Sequence, residues 1–261
     1  MNYIKVNNLT GWFVFAIATL VYWLTVEPTA SFWDCGEFIA VSYKLEVPHP
    51  PGAPLFLLIG RFFSLFALGD VERVAYWINI SSVLSSGFSI LFLFWTITAL
   101  ANKLMGLKPG QGTDDQNWSI IAAGIVGSLA YTFSDSFWFS AVEAEVYAIS
   151  SFFTAFVVWA ILKWEQIDDD RHRNRWFLLL AYTVGLSIGI HLLNLVAIPA
   201  LGLIVYFKYY KEVTTKGVLT TLAVSGAIIL IIMAGVIPGL PSLPFSFELF
   251  FVNSLGLPFK S

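Results

Sequence analysis

Two carboxylates, Asp34 and Glu37, stand three residues apart in the run Ser31-Phe32-Trp33-Asp34-Cys35-Gly36-Glu37-Phe38-Ile39-Ala40-Val41-Ser42. On a helix that spacing puts both on one face. Phe38, Val41 and Leu45 also recur at helical spacing, so the segment reads as an amphipathic helix lying on a membrane surface. Ser31 or Asp34 is its expected N-cap. Two carboxylates held together at an interface can supply a general base and a hydrogen-bonding or electrostatic partner. Ordinary capping accounts for the same pair, because acidic side chains favour helix N-termini without doing any chemistry.

Four further features could join such a site. His49 sits in Val47-Pro48-His49-Pro50-Pro51-Gly52-Ala53-Pro54, where four prolines stiffen the chain and stop a helix from continuing. It could contact a phosphate or an acceptor, or it could simply occupy a structural turn. Arg61 lies in an apolar helix, which makes it a functional-site hypothesis. Its planar fork matches phosphate oxygens, while snorkelling or pairing with a carboxylate are the plainer readings. Glu143 and Glu145 precede an apolar run, with Glu145 at the expected helix N-terminus. Two residues apart, they are expected to point different ways, one capping and one facing a cavity. His191 and Asn194 lie three residues apart in the middle of an apolar stretch, where polar groups face a cavity or each other.

The elements that must position these residues are membrane helices. Only 12% of the 261 residues are charged and 57% are hydrophobic, about half the charge density of a soluble domain. Apolar runs cover residues 9–26, 55–68, 74–104, 118–133, 146–164, 176–210 and 218–237. The 55–68 run is too short for an ordinary span and is expected to be interfacial or re-entrant. The 176–210 run is too short for two full spans, so it predicts two short helices turning inside the protein. A segment containing Pro238, Pro241, Pro244 and Pro258 follows the last run. The fold class is therefore all-α and polytopic, with about seven membrane-buried helices. Residues 27–73 form a first extracytoplasmic loop carrying interfacial helices. The polar start before the first run predicts an uncleaved first span rather than a signal peptide.

With the N-terminus in the cytoplasm, ten of the 14 Lys and Arg fall on that side, and Lys44, Arg61, Arg73 and Lys260 fall on the other. This satisfies the positive-inside rule and gathers Asp34, Glu37, His49, Glu143 and Glu145 on the extracytoplasmic face. The single Cys35 excludes an internal disulfide and a cysteine-based metal site. Walker, GxGxxG, HExxH and lipase-type GxSxG motifs are absent. A divalent cation on the outer carboxylates stays open, although no spacing signals one. Nothing in the chain suggests nucleic acid as a partner.

Four motifs in order carry a resemblance over nearly the whole chain. They are Trp33-Asp34-Cys35-Gly36-Glu37-Phe38, His49-Pro50-Pro51-Gly52, Val142-Glu143-Ala144-Glu145-Val146-Tyr147 and Gly189-Ile190-His191-Leu192-Leu193-Asn194. Together they resemble the GT-C membrane glycosyltransferases, and within them a bacterial branch, frequent in Bacteroidota, related to a eukaryotic transmembrane protein O-mannosyltransferase. The resemblance implies a GT-C-like fold, here a single transmembrane domain over 1–261 that forms the N-terminal, catalytic part of a longer protein. It implies a bacterial inner-membrane enzyme using a polyprenyl-phosphate-linked sugar, mannose among the candidates. Transfer would go with inversion to a protein or glycolipid hydroxyl. Carried over, Asp34 becomes the general base with Glu37 beside it, and Glu37 and His49 line the sugar or acceptor pocket. Arg61, Glu143, Glu145, His191 and Asn194 are the further substrate-binding candidates read from the residues themselves. The competing reading is a transporter or lipid flippase, in which His191, Asn194 and the carboxylates form a polar path. A non-catalytic scaffold is the third.

Overall fold

The computed structural model describes residues 1–259, so Lys260, counted above with the outer cations, lies outside the described residues. The helices are α1 (Tyr3–Leu24), α2 (Cys35–Lys44), α3 (Pro54–Ser64), α4 (Val74–Leu104), α5 (Asp114–Thr132), α6 (Asp135–Ala141), α7 (Val146–Glu165), α8 (Asp170–Ile188), α9 (Ala197–Tyr209), α10 (Thr215–Ile231) and α11 (Ile237–Leu255). No strand occurs among the described residues. In lipid, a backbone that cannot hydrogen-bond to water must satisfy itself within the helix, and the apolar runs obey that rule. The chain divides into two compact units, Met1–Leu195 and Val196–Ser261.

In the first unit α4 is the central helix, packed by α1, α3, α5 and α7. Lipid provides no hydrophobic drive for helices to associate, so close approach depends on small residues. Gly87 of α4 is one such point, since a side chain there would strike Thr19 and Phe15 of α1. A methyl on Gly60 of α3 would lie 2.6 Å from Ser42 Oγ of α2. One cluster of buried side chains, including Phe38, Phe56, Ile78, Ile149 and Ile190, fastens α2 and α3 onto α4 and α7. A second, including Tyr22, Ile90, Phe94, Ile121 and Phe137, joins α1, α4, α5 and α6.

The first unit has two polar ends. Lys103 in the last turn of α4 pairs with Glu165 at 2.8 Å, and Asn102 Nδ2 donates to the Tyr3 hydroxyl at 2.7 Å. At the other end the Tyr22 hydroxyl donates to the Thr132 carbonyl at 2.9 Å, and the Glu27 N–H donates to the Val142 carbonyl at 3.0 Å. The loops bearing Ser31, Asp34, Glu143 and Glu145 lie at this second end.

Two expectations change. Against about seven membrane-buried helices, five among the described residues are long and apolar enough to cross a membrane, or six if α5 and α6, bent by 69°, form one broken span. The difference arises at α5, which counts as a span only together with α6, and at α8, whose first two turns carry Asp170, Arg171, Arg173 and Arg175. The 118–133 run lies in α5, which turns sharply into α6. The last helix also does not stop near Pro238. It passes through a wide turn at Ile232–Val236 into α11 and runs to Leu255. Pro238, which has no N–H to give to the preceding turn, follows directly on this wide turn, a local break of the i→i−4 ladder of the kind found where a helix accommodates a proline. The 176–210 run is divided as expected, into α8 and α9, with a tight 3-10 turn over Leu192–Val196 between them.

Candidate active site

The site is built around the first turn of α2. Trp33, just before it, has φ 61°, a left-handed conformation unusual for a bulky residue and the kind of local strain found at functional positions. Asp34 takes the N-cap position, yet its side chain makes no cap hydrogen bond. The carboxylate is therefore not the helix cap that its sequence position suggested, and it projects into solvent with a side chain 57% exposed.

Glu37, one turn on, accepts the His49 backbone N–H at 2.7 Å on Oε1 and meets His49 Nδ1 at 2.9 Å on Oε2. His49 Nε2 in turn lies 4.0 Å from Asp34 Oδ2. The imidazole thus stands between the two carboxylates, with its ring packed on Phe38 at 5.8 Å. The rigid loop makes this geometry: the Gly52 N–H closes a turn on the His49 carbonyl at 3.0 Å, and Gly52 itself has φ 77°, a conformation glycine adopts without penalty. Donor atoms of Asp34, Glu37 and His49 all lie within 4.8 Å of one another, close enough to hold a divalent cation. Glu37 and His49 already satisfy each other, and we assign no metal.

The Glu37–His49 contact moves both titrations. The hydrogen bond to Glu37 raises the His49 value above 6.5, and the bond to His49 lowers the Glu37 carboxyl below 4.5. The stabilisation carried by the imidazolium is complete below 6.5 and fades as pH rises through the raised His49 value. The part carried by the Glu37 carboxylate is complete above 4.5 and fades as pH falls through its lowered value. The loop is therefore locked best between pH 4.5 and 6.5. An NMR titration of His49 should give a midpoint above 6.5, moving back toward 6.5 in Glu37→Gln. A wild-type midpoint at or below 6.5 would show that the bond does not form.

Behind this exposed array lies a buried layer. Glu143 and Glu145, in the connection from α6 to α7, are 3% and 6% exposed. The Ser31 hydroxyl donates to Glu143, and the Cys35 thiol donates to Glu145 at 3.6 Å. Ser31 Oγ and Cys35 Sγ are themselves 3.4 Å apart. Glu145 occupies the N-cap position of α7 but makes no side-chain cap bond. The expectation that one glutamate caps while the other points elsewhere is corrected: both turn toward the start of α2. Burial pushes both carboxyls up and the Cys35 thiol up to about 12. That value keeps Cys35 a thiol and removes it as a nucleophile.

The remaining candidates lie elsewhere. Arg61 Nη1 donates to the Tyr43 carbonyl at 2.7 Å, with its guanidinium 5.4 Å over the Tyr43 ring. Tyr43 is nine residues along α2 from Asp34, about 14 Å at 1.5 Å per residue, so Arg61 ties down the far end of the helix. His191 packs on Tyr147 at 5.4 Å and accepts the Leu193 N–H at 3.1 Å. Asn194 is buried and uses its amide between α7 and α8, accepting from Ser150 and Thr154 at 3.0 and 2.7 Å and donating to the Ser187 carbonyl at 3.3 Å. Neither is brought to the α2 cluster.

Sequence reasoning missed Asn79. Its Nδ2 donates to the carbonyls of Glu27 and Thr29 at 2.7 and 3.1 Å, pinning the loop that leads to Ser31. The available signal was a carboxamide inside the apolar α4 run, where a polar group needs a partner.

The family described as protein O-mannosyl-transferase TMEM260 N-terminal domain matches residues 34–214. The chain is 25% identical over 196 residues to protein O-mannosyl-transferase tmem260 of Dictyostelium discoideum, covering 71% of this chain and 22% of that protein. It is 28% identical over 176 residues to protein O-mannosyl-transferase TMEM260 of Mus musculus, covering 67% of this chain and 22% of that protein. The match thus spans about a fifth of the length of these curated relatives. No solved structure matches the chain.

Proposed function

This chain belongs to the protein O-mannosyl-transferase TMEM260 N-terminal domain family, and from that premise we propose that it is the catalytic part of a GT-C-type membrane glycosyltransferase. The reaction moves a mannosyl group from a polyprenyl-phosphate donor to a protein hydroxyl at the extracytoplasmic membrane face. The observation that carries this reading is the Asp34–His49–Glu37 array at the acidic end of the helix bundle, where Asp34 is exposed and its imidazole neighbour is 4.0 Å away. The matched family region begins at Asp34 and contains every residue of the array.

In this mechanism Asp34 takes the proton of the acceptor hydroxyl as its oxygen bonds to the anomeric carbon. The carbon–oxygen bond to phosphate breaks on the opposite face, the phosphate leaves with the electron pair, and the configuration inverts. A protonated His49, held by Glu37, supplies positive charge beside the developing phosphate dianion. Arg61 has no part in this step, because it is engaged at the other end of α2.

Membranes containing the protein should transfer label from a polyprenyl-phosphate mannose to an acceptor polypeptide, and should not do so from a nucleotide-linked mannose. Transfer from the nucleotide sugar alone would overturn the donor assignment. Label in glycolipid with none in protein would overturn the acceptor.

A further inference from the structure

We propose that Glu143 and Glu145 are positioning residues for Asp34, holding the first turn of α2 through Ser31 and Cys35, and are not ligands of the sugar. This rests on the reading of Asp34 as the base.

The geometry gives both carboxylates a structural partner and little room for a substrate. Each is more than nine-tenths buried. Glu143 takes the Ser31 hydroxyl, three residues before Asp34, and Glu145 takes the thiol of Cys35, the residue after it. The Ser31–Cys35 contact closes the two links into one chain running Glu143, Ser31, Cys35, Glu145. Asp34 has no cap bond of its own to fix it, and Trp33 before it has left-handed backbone. A strained, uncapped turn persists only when its surroundings over-determine it. Those surroundings are this chain of contacts, together with Asn79 on the 27–29 carbonyls.

The array also explains two buried acids side by side. The charged or titratable groups that act on them are Glu27, Asp34 and His49, with Cys35 between them. None makes an ion pair with either glutamate among the described residues. Acids placed to bind a sugar present oxygens to the solvent-filled site, whereas Glu143 turns Oε2 onto Ser31 and Glu145 turns Oε1 onto Cys35.

The test compares alanine and glutamine at each position. Glutamine keeps the acceptor oxygen that Ser31 or Cys35 needs, and alanine removes it. A misplacement of about 1 Å in a reacting group lowers turnover by about 100-fold. Glu143→Ala and Glu145→Ala should therefore lose about 10- to 100-fold in kcat, with the KM for donor and for acceptor moving less than about twofold. Glu143→Gln and Glu145→Gln should recover most of that loss. Cys35 is the single cysteine of the chain and is buried, so maleimide labelling in native membranes reads the same turn without any activity. Labelling should rise at least tenfold in Glu143→Ala and Ser31→Ala, and remain near the wild-type rate in Glu143→Gln.

A rise in KM with kcat and Cys35 protection unchanged would make the glutamates sugar ligands and overturn the proposal. Glutamine variants as inactive as the alanine ones would also overturn it, in favour of a proton-carrying role. If an alanine variant fails to reach the membrane, Ser31→Ala and the glutamine pair still decide. If Asp34 proves dispensable, the enzyme reading fails, while the labelling comparison continues to test the brace by itself.

Discussion

Asp34→Asn is expected to lower transfer about 10²- to 10⁴-fold, the range a positioned general base contributes. Asparagine keeps the shape of the side chain and cannot accept the acceptor proton. Asp34 makes no cap bond and is exposed, so its loss leaves no buried partner unsatisfied. The Glu37–His49 contacts do not involve it. Yield and thermal stability should therefore stay at wild-type levels, and the loss should fall on kcat rather than KM. Asp34→Glu, which moves the carboxylate by one methylene, should retain more activity than Asp34→Asn and less than wild type. Initial rates with a polyprenyl-phosphate mannose and a saturating acceptor measure this directly. A rate within threefold of wild type for Asp34→Asn would end the assignment of Asp34 as the base.

The second large effect is on stability. Asn194→Leu should lower the thermal midpoint by about 3–8 °C, corresponding to about 1–3 kcal/mol for the buried Ser150 hydroxyl left without an acceptor, while the exposed Thr154 hydroxyl adds little. The amide oxygen of Asn194 serves both Ser150 and Thr154, one turn apart on α7, while its nitrogen reaches the Ser187 carbonyl near the end of α8. Helical hydroxyls can turn back onto their own i−4 carbonyls, which places the effect toward the lower figure. Adding Ser150→Ala and Thr154→Val to Asn194→Leu should recover part of the loss, since the orphaned donors are then gone. Thermal unfolding of the four combinations in detergent gives the coupling. Had Asn194 been the substrate ligand suggested by its place in the sequence, the variant would instead raise the donor KM with the midpoint unchanged.

The sequence alone determined the class of protein. Low charge and long apolar runs are properties of local composition, and a bilayer leaves a chain of that composition no choice but helices. It also determined that the α2 segment is an amphipathic helix with Asp34 and Glu37 three residues apart, because that follows from helical periodicity. The division of the 176–210 stretch was legible for the same reason, since length and interrupting residues are both local. The wide turn at Ile232–Val236, which carries the last helix past Pro238, was not.

Only the tertiary structure decided which side chains face one another. Ser31 and Glu143 are 112 residues apart, and Cys35 and Glu145 are 110 apart. No periodicity within either segment specifies that α2 starts against the α6–α7 connection. Arg61 and Asn194 looked equally suited to a substrate by residue type. Packing gave one to a helix end and the other to a helix interface, because the nearest unsatisfied polar groups were there. A polar side chain at bilayer depth must find a partner, a demand that sequence can announce. The partner's identity depends on the three-dimensional neighbourhood, which is why the acids beside Asp34 became legible only once the helices were packed.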